Sequence, residues 1–210
     1  MEEDAIIQEL IRQASDAAER MFGDEDRAVS SFLNIPDARI ILEAFRQLPD
    51  HVEGELTPYL KAKYLGQVAE ELPKYDVPRL VREIRLYQLD LLAKAEKESS
   101  ADTARNGETP LTSGEVRESL NEIDDYLDPA VSMEEFCTRH HRHLHFDPVE
   151  RTPEWEEHIF EVETEVMKRC GKPGFMGYCF GYWAAKADVL RTFGIDWKSP
   201  SEMNPGVMFD

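Results

Sequence analysis

The chain has 210 residues, of which 41% are hydrophobic and 10% aromatic, and its formal net charge is -19. This apolar content is too high for an intrinsically disordered protein, so we expect a folded core. The acidity disfavours binding to nucleic-acid backbones and to anionic membrane surfaces, because both require a basic footprint on the protein. A basic protein partner or a cation is electrostatically compatible with it.

The sequence indicates a cytoplasmic protein. Its N-terminus begins with acidic residues and lacks the basic-then-apolar order of a secretory signal. No apolar run approaches the roughly 20 residues that a membrane-spanning helix needs. The three cysteines form no CxxC pair, which is typical of a reducing compartment rather than of a disulfide scaffold.

Apolar residues repeat at helical spacing along the first hundred residues. Prolines, glycine and a Thr57-Pro58 cap separate four predicted helices, over roughly residues 7–22, 36–48, 58–72 and 77–97. The fourth has apolar side chains on two sides, so we expect it to be central in a bundle or to form a homodimer contact through residues 77–97.

Residues 99–113 have few large apolar side chains and several turn formers, which predicts a linker. The expected organisation is a helical domain over residues 1–98, this linker, and a second helical domain over residues 114–210. Further helices are predicted over roughly residues 116–127, 132–145, 153–170 and 174–193. The second of them would begin with a capping box formed by Ser132 and Glu135, and the third with a Thr152-Pro153 cap. The fold class is therefore all-α, with two bundles of about four helices each and an irregular C-terminal tail packed on the second.

A histidine-rich segment offers a candidate metal site. On a helix that continues to residue 145, Cys137, His141 and His145 fall at i, i+4 and i+8 on one stripe, and His158 of the next helix could supply a fourth ligand. Zinc is the metal that such a ligand set would take. Alternatively, these histidines are polar residues at a helix end, where positive charge is favoured.

Aromatic and acidic residues near the C-terminus offer a candidate partner-binding site. Gly177 and Gly181 would give the last helix a smooth face that permits close packing, as in the central helix of the C-terminal bundle. Alternatively, this helix lines an aromatic groove for a peptide or small molecule, to which Tyr178, Tyr182 and Trp183 present polar tips. Glu157 and Glu161 of the preceding helix would add negative charge. We expect most glutamates of residues 154–165 to lie on the solvated face of that helix.

No phosphate-binding loop, nucleophile elbow or paired-carboxylate motif accompanies these features, so we favour a function other than catalysis. The leading hypothesis is an acidic protein-binding module, such as an inhibitor, immunity-type protein or adaptor, that docks a basic partner. The alternatives are a metal-dependent enzyme or metal sensor, and a self-assembling structural module.

Overall fold

The computed structural model describes residues 2–23, 27, 30–52, 56–98, 111–171 and 177–209. The fold is all-α, as predicted, and no β-strand occurs in the described part of the chain beyond one antiparallel bridge between Val52 and Leu56. Over the same residues, no helix is long and apolar enough to cross a membrane.

The α-helices of the described residues are numbered in chain order. They are α1 (Glu2–Phe22), α2 (Ile35–Gln47), α3 (Pro58–Glu70), α4 (Pro78–Glu98), α5 (Ser113–Leu127), α6 (Met133–Arg139), α7 (Pro153–Cys170), α8 (Tyr178–Thr192) and α9 (Pro200–Met203). Short 3₁₀ helices precede α2 and α7, over Ser31–Asn34 and Pro148–Arg151.

The backbone contacts divide the chain into two compact units. Unit 1 comprises Met1–Lys74 and Arg79–Ile123, and unit 2 comprises Tyr75–Pro78 and Asp124–Asp210. This division differs from the predicted domain boundaries at residues 98 and 114. The predicted linker itself lies outside the described residues as far as residue 110.

Unit 1 has an aliphatic core in which α1 packs against α2 and α2 against α3. One charged residue lies fully inside it: Lys61 of α3 has no exposed surface. Its ammonium group donates to the carbonyls of Leu48 and Pro49, at 3.2 and 2.6 Å, just beyond the end of α2. Desolvation lowers the pKa of Lys61, so these carbonyl contacts are what makes its burial tolerable.

Unit 2 contains an aromatic cluster that collects residues from several segments. Tyr126 at the end of α5 and Phe136 of α6 are fully buried, and the rings of Tyr75 and Phe146 pack against them. Arg151 donates to the backbone carbonyls of Tyr126, Val131 and Asp125. It therefore joins the segment before α7 to α5 and to the α5–α6 turn.

Two predicted helix limits are wrong. Helix α6 ends at Arg139 and not near residue 145, because His141 takes a left-handed conformation with φ of 53°. The Arg142 N–H then donates to the Cys137 carbonyl at 2.8 Å, which is the helix-ending arrangement of a Schellman motif.

The second difference concerns the start of α8. Gly177 precedes this helix as its N-cap, with φ of 79°, so Gly177 and Gly181 do not form a smooth helical face. A Cβ atom at Gly181 would meet nothing within 4 Å, so close packing at that position is also wrong. The predicted start near residues 173–174 lies outside the described residues.

Candidate functional site

The candidate site lies on the antiparallel pair formed by α7 and α8. Thr152 caps α7 as predicted, its side chain accepting from the Trp155 N–H at 3.2 Å, and Pro153 follows at the first helical position. The period of 3.6 residues then places four fully buried residues on one face: Trp155, Ile159, Val162 and Val166. The opposite face is acidic and exposed.

A buried ionic cluster lies between the two helices. Glu163 of α7 and Lys186 of α8 are only 5% and 6% exposed, and the Lys186 ammonium lies 2.6 Å from the Glu163 carboxylate. Asp76 approaches the same ammonium at 3.9 Å and accepts a hydrogen bond from the Trp155 indole at 3.2 Å. Tyr182, one turn before Lys186, donates to the second oxygen of Glu163.

Three aromatic rings surround the Lys186 ammonium. Their centroids lie 4.8 Å from it for Trp155, 5.5 Å for Trp197 and 5.9 Å for Tyr182, distances at which the π-faces attract a cation. Trp197 belongs to the segment after α8, and its indole donates to Glu150 at 2.8 Å. The cluster thus joins α7, α8, residues 75–78 and the C-terminal segment.

Burial sets the protonation preferences of these groups. Desolvation acts to lower the pKa of Lys186, but the carboxylates of Asp76 and Glu163 raise it above its ordinary range, so Lys186 is a cation. Desolvation raises the pKa of Asp76, and Lys186 offsets only part of that rise. Desolvation likewise raises the pKa of Glu150 to about 7, against the opposing effects of Trp197 and Lys186. A protonated Lys186 is a poor nucleophile, so the cluster favours a structural role for this lysine.

The sequence did not reveal this cluster. Most glutamates of α7 were expected on the solvated face, yet Glu156 and Glu163 are buried. The sequence contains one indication that Glu163 is buried. It follows Ile159 by four residues and precedes Val166 by three, which places it beside the apolar stripe of the helix. Asp76, distant in sequence, had no local signal.

The exposed face of α7 carries Glu154, Glu157 and Glu161 at i, i+3 and i+7. No ion pair joins any of the three to another residue of the described ranges. His158, between them in sequence, stacks on Phe193 at the end of α8 with ring centroids 4.5 Å apart and planes 25° apart. Phe193 is 40% exposed, so an aromatic surface lies beside the acidic row. We call the three glutamates, together with His158 and the neighbouring Phe193, the α7 acidic face.

The structure does not bring all the predicted partner-binding residues together. Glu157 and Glu161 are exposed on the α7 acidic face, but the Tyr182 hydroxyl is directed into the buried cluster. Tyr178 donates to the Gly171 carbonyl at 2.7 Å, across the α7–α8 connection. Trp183 contacts the rings of Phe180 and Phe209.

The four predicted metal ligands are distributed over different local structures. Cys137 is buried, its thiol donates to the Leu144 carbonyl at 3.4 Å, and desolvation raises its pKa. His141 and His145 are exposed beyond the end of α6, and His158 stacks on Phe193. The i, i+4, i+8 stripe is therefore not formed.

No group of three or more His, Cys, Asp or Glu side chains is placed to hold a metal ion in the described part of the chain. Metal binding stays a hypothesis from the sequence. It predicts stoichiometric zinc in protein purified without a tag or chelator, and loss of that zinc in a His141→Ala, His145→Ala double variant. A melting temperature that does not respond to added zinc would count against it.

Comparisons with protein-family models, with curated proteins and with solved structures find no match to this chain.

Proposed function

We propose that this chain is a protein-binding module that docks a basic partner on the α7 acidic face. The observation that supports the proposal is the exposed row of Glu154, Glu157 and Glu161, for which no described residue supplies a cation. Carboxylates that none of the described residues neutralises can pair with lysine or arginine side chains of another protein.

Two further properties are consistent with this function. The net charge of -19 would accelerate encounter with a basic protein and would repel acidic ones. The exposed ring of Phe193 offers apolar and cation–π contact area next to the carboxylates, which surface charges alone do not provide. An inhibitor, an immunity-type protein and an adaptor would each use such a surface.

The test compares two variants of equal charge. One is Glu154→Gln, Glu157→Gln, Glu161→Gln, which neutralises the α7 acidic face. The matched control is Glu19→Gln, Glu96→Gln, Glu118→Gln, which removes three exposed glutamates of unit 1. Both variants are three charges less negative than the parent chain.

The measurement is the association rate with a basic partner recovered by cross-linking in cells, recorded over a range of ionic strengths. We expect the α7 variant to associate roughly tenfold more slowly at low salt, and the control to stay near the parent rate. An association rate that does not depend on ionic strength, or an equal decrease of the rate in both variants, would contradict the proposal.

Self-assembly through residues 77–97 is a second candidate, since Leu86 on α4 is 44% exposed. It predicts a concentration-dependent dimer in sedimentation that Leu86→Lys dissociates. A monomer at all concentrations would eliminate it.

A further inference from the structure

The first half of α8 is uncharged on every side, yet it lies at the surface. Residues 178–185 (Tyr-Cys-Phe-Gly-Tyr-Trp-Ala-Ala) contain no charged side chain, in a chain of which 32% of the residues are charged. A helix that is apolar all round normally lies in the interior of a protein. All eight residues are described by the structure, and each of them is half-buried or exposed. The segment therefore has the composition of an interior helix, whereas one copy of the chain leaves it partly uncovered.

The uncovered side of α8 has the pattern of a helix-packing face. Tyr182 and Lys186 mark the side that faces α7, because both contact Glu163 there. The opposite side carries four apolar residues at i, i+3, i+4 and i+7, the spacing with which one helix packs on another. They are Phe180, Trp183, Ala184 and Ala187, which we call the α8 stripe. Phe180 is 51% exposed, so the stripe is present without being covered.

Residues near the C-terminus extend this apolar surface. The Trp183 ring meets the rings of Phe180 and Phe209 edge-on, with centroids 5.7 and 5.1 Å apart. Val207 and Met208, which precede Phe209 in the chain, are both exposed, Met208 to 90%. Together with the α8 stripe they offer roughly 400 Å² of apolar surface per copy, on the basis of about 150–250 Å² for a whole aromatic side chain. This is a large patch for a monomer and about half of what each partner contributes to a standard interface.

Charge favours a second copy of this chain as the occupant of the patch. The α8 stripe ends at Asp188 and Arg191, an acid and a base that pair with each other at 2.5 Å, so its surroundings on α8 have no net charge. The whole chain carries a charge of -19, and two copies therefore repel each other wherever their acidic surfaces meet. The α8 stripe lets two copies touch without opposing like charges. It offers no carboxylate row to a basic protein, and the rest of the chain is repelled by an anionic membrane.

The shape of the patch also suits contact with itself. A two-fold dimer brings the same surface of both copies together, so large side chains must meet small ones. The rings of Phe180 and Trp183 alternate with Ala184 and Ala187, and a Cβ atom added at the neighbouring Gly181 would meet nothing within 4 Å. The rings of one copy can thus pack over the small residues of the other.

We propose that the α8 stripe, together with residues 207–209, is the contact surface of a homodimer in which α8 packs against α8 of a second copy. Because the patch is small, the dimer dissociates in the micromolar range. The inference does not depend on the α7 acidic face, whose glutamates lie on the other helix of the pair. A dimer of this kind would present two such faces to a partner at once.

The test is sedimentation equilibrium of the full chain, from low micromolar to millimolar concentration and at low and high ionic strength. We expect a monomer–dimer equilibrium whose dissociation constant falls as salt is added, because screening weakens the repulsion between two acidic copies. Docking of a basic partner has the opposite salt dependence. The two associations, and the failure of either proposal, can therefore be distinguished.

Two variants locate the contact. Phe180→Lys removes the most exposed ring of the stripe and should raise the dissociation constant at least roughly tenfold. The new lysine makes the chain less acidic, which by itself favours association, so a weaker dimer would be due to the lost ring. Leu86→Lys makes the same change of charge at a similarly exposed residue of α4 and should leave the dissociation constant unchanged.

Three results would overturn the proposal. One is a monomer at every concentration and ionic strength. Another is a dimer that Phe180→Lys leaves intact or that Leu86→Lys weakens equally. The third is a dissociation constant that rises as salt is added. If circular dichroism shows that Phe180→Lys does not fold, Ala184→Lys, at an exposed residue of the same stripe, provides the same comparison.

Discussion

Replacing Lys186 by methionine should strongly destabilise unit 2. The substitution keeps the apolar stem that packs among the indole rings and removes only the ammonium group. Glu163, which is 5% exposed, then loses its ion-pair partner at 2.6 Å, and Asp76 loses its nearby cation at 3.9 Å. Breaking a buried ion pair in this way costs about 3–5 kcal/mol, because an uncompensated charge stays inside the protein.

A second substitution separates the loss of the pair from the loss of packing. In the double variant Lys186→Met, Glu163→Leu, no carboxylate remains at position 163, and an apolar contact replaces the ion pair. Such replacements are often close to neutral. We expect the double variant to recover about 2 kcal/mol relative to Lys186→Met. With the single variant Glu163→Leu, the cycle gives the coupling energy of the pair, which should be at least as large.

Urea unfolding followed by tryptophan fluorescence measures these free energies for unit 2, since all three tryptophans of the chain lie there. The slope of the free energy of unfolding against urea should be the same in each variant, so that midpoints can be compared. A loss below about 1 kcal/mol in Lys186→Met, or strictly additive effects in the double variant, would refute the electrostatic reasoning.

Three smaller effects follow from glycine positions and a helix cap. At Gly66 an added Cβ would lie 2.8 Å from the Gln88 amide nitrogen, so Gly66→Ala should lower the free energy of unfolding by about 1–3 kcal/mol. Gly181, inside α8 with open space around it, is the matched comparison, and Gly181→Ala should stabilise by about 1 kcal/mol. Ser132 accepts from the Glu135 N–H at 3.1 Å, so Ser132→Ala should cost about 1 kcal/mol. Thermal unfolding by circular dichroism measures all three, and a reversed order of the two glycine variants would contradict the packing argument.

The helices and their N-caps could be predicted from the sequence because the residues that indicate them are close together in the chain. Apolar periodicity predicted α1 to α5 within a few residues, and the side chains of Thr57, Ser132 and Thr152 cap helices as expected. At Ser132 only half of the predicted capping box forms, since the Glu135 side chain pairs with Arg139 instead.

The end of α6 could not be predicted in this way. A helix commonly stops at a glycine in the left-handed conformation, and no glycine is present there. His141 takes that conformation instead, which histidine adopts more readily than most residues. The predicted ligands Cys137, His141 and His145 share one face only on a helix that continues to residue 145. Because the helix ends at Arg139, the predicted stripe of ligands does not form.

The buried cluster was inaccessible for another reason. Its members come from residues 75–78, 150, 155, 163, 182–186 and 197, so only the tertiary fold brings them together. Sequence patterns distinguish a buried from a solvated face of one helix, but they do not identify which distant charge compensates a buried glutamate. The exposed positions of Glu157 and Glu161, by contrast, follow directly from helical periodicity.

Unit 2 is assembled from two separated stretches of the chain, and this has a consequence for biosynthesis. Tyr75–Pro78 leave the ribosome long before α7 and α8 do, yet Asp76 completes the ion network around Lys186, and Tyr75 packs on the rings of Tyr126 and Phe146. A C-terminal fragment that begins at Asp124 would therefore lack two half-buried side chains that contact the interior of unit 2. Residues 75–78 can make these contacts only once α7, α8 and the segment that carries Trp197 have left the ribosome, so unit 2 acquires its complete set of contacts late in its synthesis.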